Sequence, residues 1–194
     1  MPRLTEASRQ RRREQIAAAA MRCFARQGFR DTTMADIIAE SGLSAGSIYS
    51  HFESKADLMR MVASDVLEAR VRGLIAPDAL GGHPASPGRL FEAVVTSFFE
   101  LESVGVLVQV WGETPNDPEL AAFAEEKVHE IRGIFREAVR PWAHEQGDAS
   151  DARLDAVTDA LIACVQGFVV RCTLDAAVDP ASLARTLATF LDRM

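Results

Sequence analysis

The residue types best suited to binding chemistry crowd into a short stretch, where Ser44, Ser47, Tyr49, Ser50, His51 and Lys55 bring hydroxyl, phenol, imidazole and ammonium groups close together. Hydroxyl groups, Tyr and Lys suit the oxygens of a phosphate backbone. At helical spacing, Ser44, Ala45, Ser47, Ser50 and His51 form a polar face, with Ile48 and Phe52 opposite it as anchors. Other chemistries find less material. The four histidines, at 51, 83, 129 and 144, are scattered, and no nucleophile, base and orienting group follow one another in a usable order. No glycine-rich phosphate loop follows a strand pattern, and no ligand set for a metal is spaced to close. Catalysis, a metal and a cofactor are therefore not expected. Cys23, Cys164 and Cys172 match neither a zinc knuckle nor a disulfide framework and are expected to be reduced and mostly buried.

Charge is divided unevenly along the chain. The net charge is -7, yet residues 1–60 hold ten Lys or Arg against seven Asp or Glu, leaving the acidic excess to the remainder. The first thirty residues carry eight Arg against Glu6 and Glu14. What attracts an anion is the local face, not the whole-chain sum. Arg9, Arg11, Arg12 and Arg13 are candidates for phosphate attraction, and one of them for entry into a minor groove.

The elements that must position these groups all read as helices. Period-two alternation is absent, and Ala, Leu, Arg and Glu dominate. A first helix is predicted from about Ser8 to Gln27, with Ile16, Ala20, Cys23 and Phe24 as its apolar stripe and Gly28 as its stop. Thr33 with Asp36 makes a capping box for a short second helix that Gly42 ends. Ser44 opens a third, and Ser54 with Asp57 opens a fourth. Residues 73–88 are rich in Gly and Pro and read as a loop. Further helices are predicted at about 88–101, 104–113, 117–145, 151–173 and 181–192, with Pro141 expected to kink or shorten the long one. No run approaches 18 apolar residues and no apolar leader follows the start, so neither a membrane span nor secretion is expected and a cytoplasmic location is.

Three short helices with a glycine turn between the second and third are the physical requirement of a helix-turn-helix. The run AAAAMRCFARQGFRDTTMADIIAESGLSAGSIYSHFESKADL, residues 17–58, closely resembles the TetR family of bacterial regulators. Phe24, Gly28, Phe29, Thr32, Thr33, Ile37, Ala39, Gly42, Leu43, Ser44, Tyr49, His51, Phe52, Lys55 and Leu58 fall on its pattern. The resemblance implies an all-α chain of about nine helices: a DNA-binding domain at 1–53, and a helical effector-binding and dimerisation domain at 54–194. It implies that Thr33, Tyr49 and Lys55 contact backbone phosphates of double-stranded DNA, and that Ser44, Ala45, Gly46, Ser47 and His51 approach bases or nearby phosphates. Lys55 beside a helix N-terminus opposes the helix dipole, which favours a role toward an external phosphate. Ala45 and Ser47 have little reach, so no bidentate grip on guanine is evident from this helix.

The resemblance further implies a repressor, with an activator of the same family as the alternative, that binds a palindrome as a homodimer, through the helices at about 151–173 and 181–192, and that an unidentified small molecule releases. Leu154, Val157, Leu161, Val165, Phe168 and Cys172 make one apolar stripe on the first of these helices, and Ile162, Gln166, Val169 and Thr173 another. Phe98, Phe99, Glu102, Val106, Gln109, Val110, Trp111, Phe123, His129, Phe135 and Phe168 are the candidates for a mostly apolar or aromatic effector site. The fourth helix is the expected lever between the two functions.

Overall fold

The computed structural model describes the backbone of residues 6–61, 64, 84–99 and 104–194, and the side chains of these except 6, 7, 98, 99, 104 and 106. Among the described residues every regular element is a helix. The helices are α1 (Glu6–Asp31), α2 (Met34–Ser41), α3 (Ala45–Tyr49), α4 (helical at residues 55–61), α5 (Pro87–Phe99), α6 (Val104–Glu113), α7 (Pro118–Glu145), α8 (Asp151–Leu174) and α9 (Pro180–Leu191). A 3-10 turn, Thr114–Asn116, precedes α7. The expected loop at 73–88 lies mostly outside the described residues; α5 begins within it, at Pro87.

The chain divides into two compact units, Met1–Val66 with Gly105–Phe123, and Leu67–Val104 with Ala124–Met194. In the first unit, Ile16, Ala20, Cys23 and Phe24 of α1 meet Ile37, Ile48, Phe52, Leu58, Met59 and Met61, and Val110 and Leu120 complete the cluster. The predicted stripe of α1 is thus fully buried. Gly28 differs from the expectation in part. Its φ of 85° and ψ of 158° break the helix, but helical turns resume and continue to Asp31. Thr32 bridges the break by donating its hydroxyl to the Gly28 carbonyl at 2.6 Å.

In the second unit α5, α8 and α9 pack together. Leu90, Phe91, Val94 and Val95 of α5 are buried, and the Phe91 and Phe168 rings meet edge-on at 5.7 Å. Gly88 permits the closest approach: its amide donates to Asp192 at 2.6 Å, and a side chain there would run into the backbone of Ala188. Arginines on one face of α7 pair with aspartates of α8. Arg132 holds Asp159 at 2.7 Å and Asp155 at 3.1 Å, and Arg136 holds Asp155 and Asp151. Pro141 does not shorten α7, which runs on to Glu145 before Gly147 (φ 81°) ends it. Proline removes one donor and clashes with one carbonyl, and with the helix end one turn away that cost is confined to the last turns. The length and apolar composition of α8 would suffice to cross a membrane. Here Leu154, Val157, Leu161, Phe168 and Val169 of this helix are buried within the protein.

Candidate nucleic-acid interface

The site is built on two capped helices and the turn between them. Thr33 caps α2: its Oγ1 accepts from the Asp36 amide at 3.2 Å, and the Asp36 carboxylate accepts from the Thr33 amide at 2.8 Å and hydroxyl at 2.6 Å. These bonds hold the Asp36 carboxyl below the ordinary carboxylate range, with Gln27 adding to the effect. Gly42, left-handed at φ 68°, ends α2 and makes the turn that other residues enter only with strain. The turn is tied back to α1, since Gln15 donates to the Ser41 carbonyl at 3.0 Å. Ser44 then caps α3 by accepting from the Ser47 amide at 3.3 Å.

On α3 the buried side is Ile48, joined by Phe52 just beyond. The outward side is Ser44, Ala45, Gly46, Tyr49 and Ser50, with Tyr49 half exposed at 52%. Ser47 is only partly exposed, because Arg12 of α1 lies over it and donates from Nη1 to its Oγ at 3.2 Å. Arg13 stacks over the Phe52 ring at 5.3 Å. The arginine-rich segment is, from residue 6 onward, part of α1, as the predicted first helix implies, and Arg12 and Arg13 lie against the recognition element. Burial holds the His51 imidazole below its usual pKa, and the charges of Arg13, Arg9 and Arg12 push it the same way. At neutral pH His51 is accordingly an uncharged ring beside cationic neighbours.

Lys55 lies at the start of α4 but turns inward. Its Nζ donates to the carbonyls of Phe29 at 2.6 Å and Arg30 at 3.0 Å, and it stands 4.6 Å from the Phe29 ring centroid. Burial lowers its pKa. Two of its three donors thus cap the frayed end of α1, a long-range contact that the local dipole argument did not include.

The effector-site candidates fall into separate groups. Phe98, Phe99, Glu102 and Val106 lie outside the described side chains. Gln109, Val110, Trp111 and Phe123 belong to the first unit. There Gln109 Oε1 accepts from the Phe29 amide at 2.7 Å, and Val110 is buried in the apolar cluster that Phe123 also touches. Trp111 is half-buried. His129, Phe135 and Phe168 belong to the second unit. His129 is exposed with Nδ1 2.9 Å from the Glu125 carbonyl, whereas Phe135 and Phe168 are core residues. Sequence reasoning missed the contacts of Arg12, Gln15 and Gln109; spacing within one helix carries no sign of partners 26 to 80 residues away.

Two family descriptions match the chain: bacterial regulatory proteins of the tetR family at residues 16–62, and the C-terminal part of BetI-type transcriptional repressors at residues 88–194. Among curated relatives, the uncharacterised HTH-type regulator YfiR of Bacillus subtilis is 36% identical over 38% of this chain and 36% of its own length. TtgR of Pseudomonas putida is 40% identical over 35% of this chain and 32% of its own. The matched stretch thus spans about a third of those relatives. The HTH-type transcriptional repressor Rv1474c of Mycobacterium tuberculosis is 25% identical over 92% of this chain and 84% of its own. Among solved structures, Salmonella enterica GusR superposes with a TM-score of 0.70 at 26% identity, covering all of both chains. A TetR regulator from Haloarcula marismortui reaches 0.76 at 16% identity over 95% of this chain and 97% of its own, a likeness of fold.

Proposed function

This chain belongs to the TetR family of bacterial regulatory proteins, whose members are DNA-binding transcription regulators and not enzymes, and from that premise we propose that it is a ligand-responsive repressor of transcription. It binds a palindromic operator in duplex DNA as a homodimer, in the cytoplasm. The observation that carries this reading is the face of α3, capped by Ser44, anchored by Ile48 and Phe52, and flanked by the arginines of α1.

In this reading residues 1–53 dock on DNA and residues 54–194 pair the protomers and take the effector. Thr33 at the start of α2 and Tyr49 on α3 meet backbone phosphates, with Lys55 offering its third donor from a fixed position. Ser44, Ala45, Gly46, Ser47 and His51 lie against base edges or nearby phosphates. A single such module grips few phosphates, and pairing two on successive major grooves multiplies the contact. Pairing is supported by what α8 and α9 leave uncovered. Ala156, Ala163, Gly167 and Leu174 of α8 are exposed, Leu174 at 76%, and Phe190 of α9 is exposed at 61%. Small residues at intervals of about one or two turns let a second helix approach closely, and the two large side chains gain burial from it. A mostly apolar or aromatic small molecule would release the DNA by biasing the dimer toward a spacing that no longer matches successive grooves.

Dimerisation and release are read together by measuring mass and operator affinity. The wild-type chain is expected to sediment as a dimer, and Phe190→Asp as a monomer with at least tenfold weaker operator binding. From a panel of apolar and aromatic compounds, at least one is expected to lower operator affinity fivefold or more. A monomeric wild type that binds its operator as tightly as any variant contradicts the pairing.

A further inference from the structure

We propose that Arg12 of α1, oriented by Ser47, is the long-chained base-reading donor of the DNA face, taking the O6 and N7 edge of one guanine in each half-site. The inference rests on the reading of this face as a DNA-binding surface.

Apart from Tyr49, read here as a phosphate contact, the outward groups of α3 are short. Ser44, Ala45, Gly46 and Ser50 offer two hydroxyls, a methyl and bare backbone, none of which spans the two acceptors of a guanine. A planar guanidinium does span them, with two parallel N–H donors. Arg12 is placed to supply that fork. Its Nη1 donates to Ser47 Oγ at 3.2 Å, so the group is fixed to the helix that enters the groove, not to the flank of its own helix.

Several other arginines of this unit are committed elsewhere. Arg13 is stacked on Phe52, while Arg22 and Arg26 share Glu40 and Arg60 holds Glu119. Among the described residues no carboxylate lies within ion-pair distance of Arg12. One of its five N–H donors is engaged by Ser47, which leaves others for a ligand. The Ser47 backbone is itself held in place: its amide donates to Ser44 and its carbonyl accepts from the Ser50 hydroxyl at 2.7 Å. By accepting from Arg12, the Ser47 oxygen also directs its own hydrogen away from α1. A long side chain held this way before binding loses less rotamer freedom on contact. A phosphate contact would need no such anchor, since a phosphate accepts from many directions.

The test uses the full chain and the duplex that wild type enriches from a random pool, with every base pair of one half-site varied in turn. Binding is measured at two salt concentrations for wild type, Arg12→Ala, Arg12→Lys, Ser47→Ala and Arg11→Ala, with thermal midpoints as a check on folding. Wild type is expected to prefer G·C at one position by roughly ten- to hundredfold. That preference is expected to fall to about twofold in Arg12→Ala and in Arg12→Lys, which keeps the charge and the salt dependence but not the fork. Ser47→Ala is expected to relax the same position in part, and Arg11→Ala to weaken all sequences alike. The proposal is overturned if Arg12→Ala weakens every sequence equally with a shallower salt slope, which marks a phosphate contact, or changes nothing, or if Arg12→Lys keeps full discrimination. A wild type that enriches no sequence at all sinks the DNA reading itself, a different failure from an enriched site whose preferences survive Arg12→Ala.

Discussion

Replacing Gln109 by Ala is expected to loosen the end of α1 rather than empty an effector site. Because Gly28 breaks α1, the Phe29 amide lies past the break, and it takes Gln109 Oε1 as its partner at 2.7 Å. The carbonyl of the same residue accepts from Lys55 at 2.6 Å, so Phe29 is held at both ends of its backbone by side chains from distant helices. Leaving a buried N–H without a partner costs about 1–3 kcal/mol, and this amide is only partly buried, which puts the loss near 1 kcal/mol. For a chain of this length that is about 2–4 °C in thermal midpoint. Gln109→Glu keeps an acceptor and should recover most of the loss. Lys55→Met combined with Gln109→Ala should cost less than the sum of the two alone, because both hold one residue. Thermal and urea unfolding of the wild type and these four variants measure this. A Gln109→Ala chain with an unchanged midpoint, or one that falls no further than Gln109→Glu, would refute the reasoning; an unchanged midpoint with a lost effector response would return Gln109 to the effector site.

Gly88→Ala should be strongly destabilising, because the added carbon would lie 2.7 Å from the Asp192 carboxyl carbon and against the Ala188 backbone; a cost of about 1–3 kcal/mol is expected by calorimetry. Thr158→Val should stabilise the second unit, since the Thr158 hydroxyl is fully buried with no hydrogen-bond partner among the described residues and the replacement keeps its shape; the expected gain is about 1 kcal/mol in urea unfolding, and a loss would show that the hydroxyl is satisfied. The hydrogen bonds from Thr33 lower the Asp36 pKa, so their stabilisation is present above the unfolded carboxylate pKa of about 4 and is lost as pH falls through the folded value. Asp36→Asn should therefore flatten the dependence of the thermal midpoint on pH below about pH 5.

The front of the chain was legible because its stops and starts are local chemistry. Thr33 with Asp36, Ser44, Ser54 with Asp57, and Gly42 each act within four residues, and each sits where its type predicts. The later helix bounds were equally readable, with Ser150 and Asp179 capping α8 and α9 and Pro118 and Pro180 opening α7 and α9. What failed was contact across the chain. Lys55 answers to carbonyls 25 and 26 residues before it, and Arg12 to a hydroxyl 35 residues after it, so neither partner leaves a periodic trace. The stripes of α8 show a different limit. Leu154, Val157, Leu161 and Phe168 stand out as large apolar residues because they fill the protein's own core, while most of the apolar residues left uncovered, Ala156, Ala163 and Gly167, are small ones that periodicity does not mark. Among the aromatic residues named for an effector site, Phe135 and Phe168 are buried, a placement that aromatic content alone does not tell from an exposed one.

The central claim, that the α2–α3 face docks on DNA, is tested most directly by selecting bound duplexes from a random pool with the purified chain and titrating the enriched sequence against salt. An inverted repeat is expected, with half-sites about one helical turn apart and affinity that falls steeply as salt rises. A pool that emerges unenriched, or an affinity indifferent to salt, would contradict it.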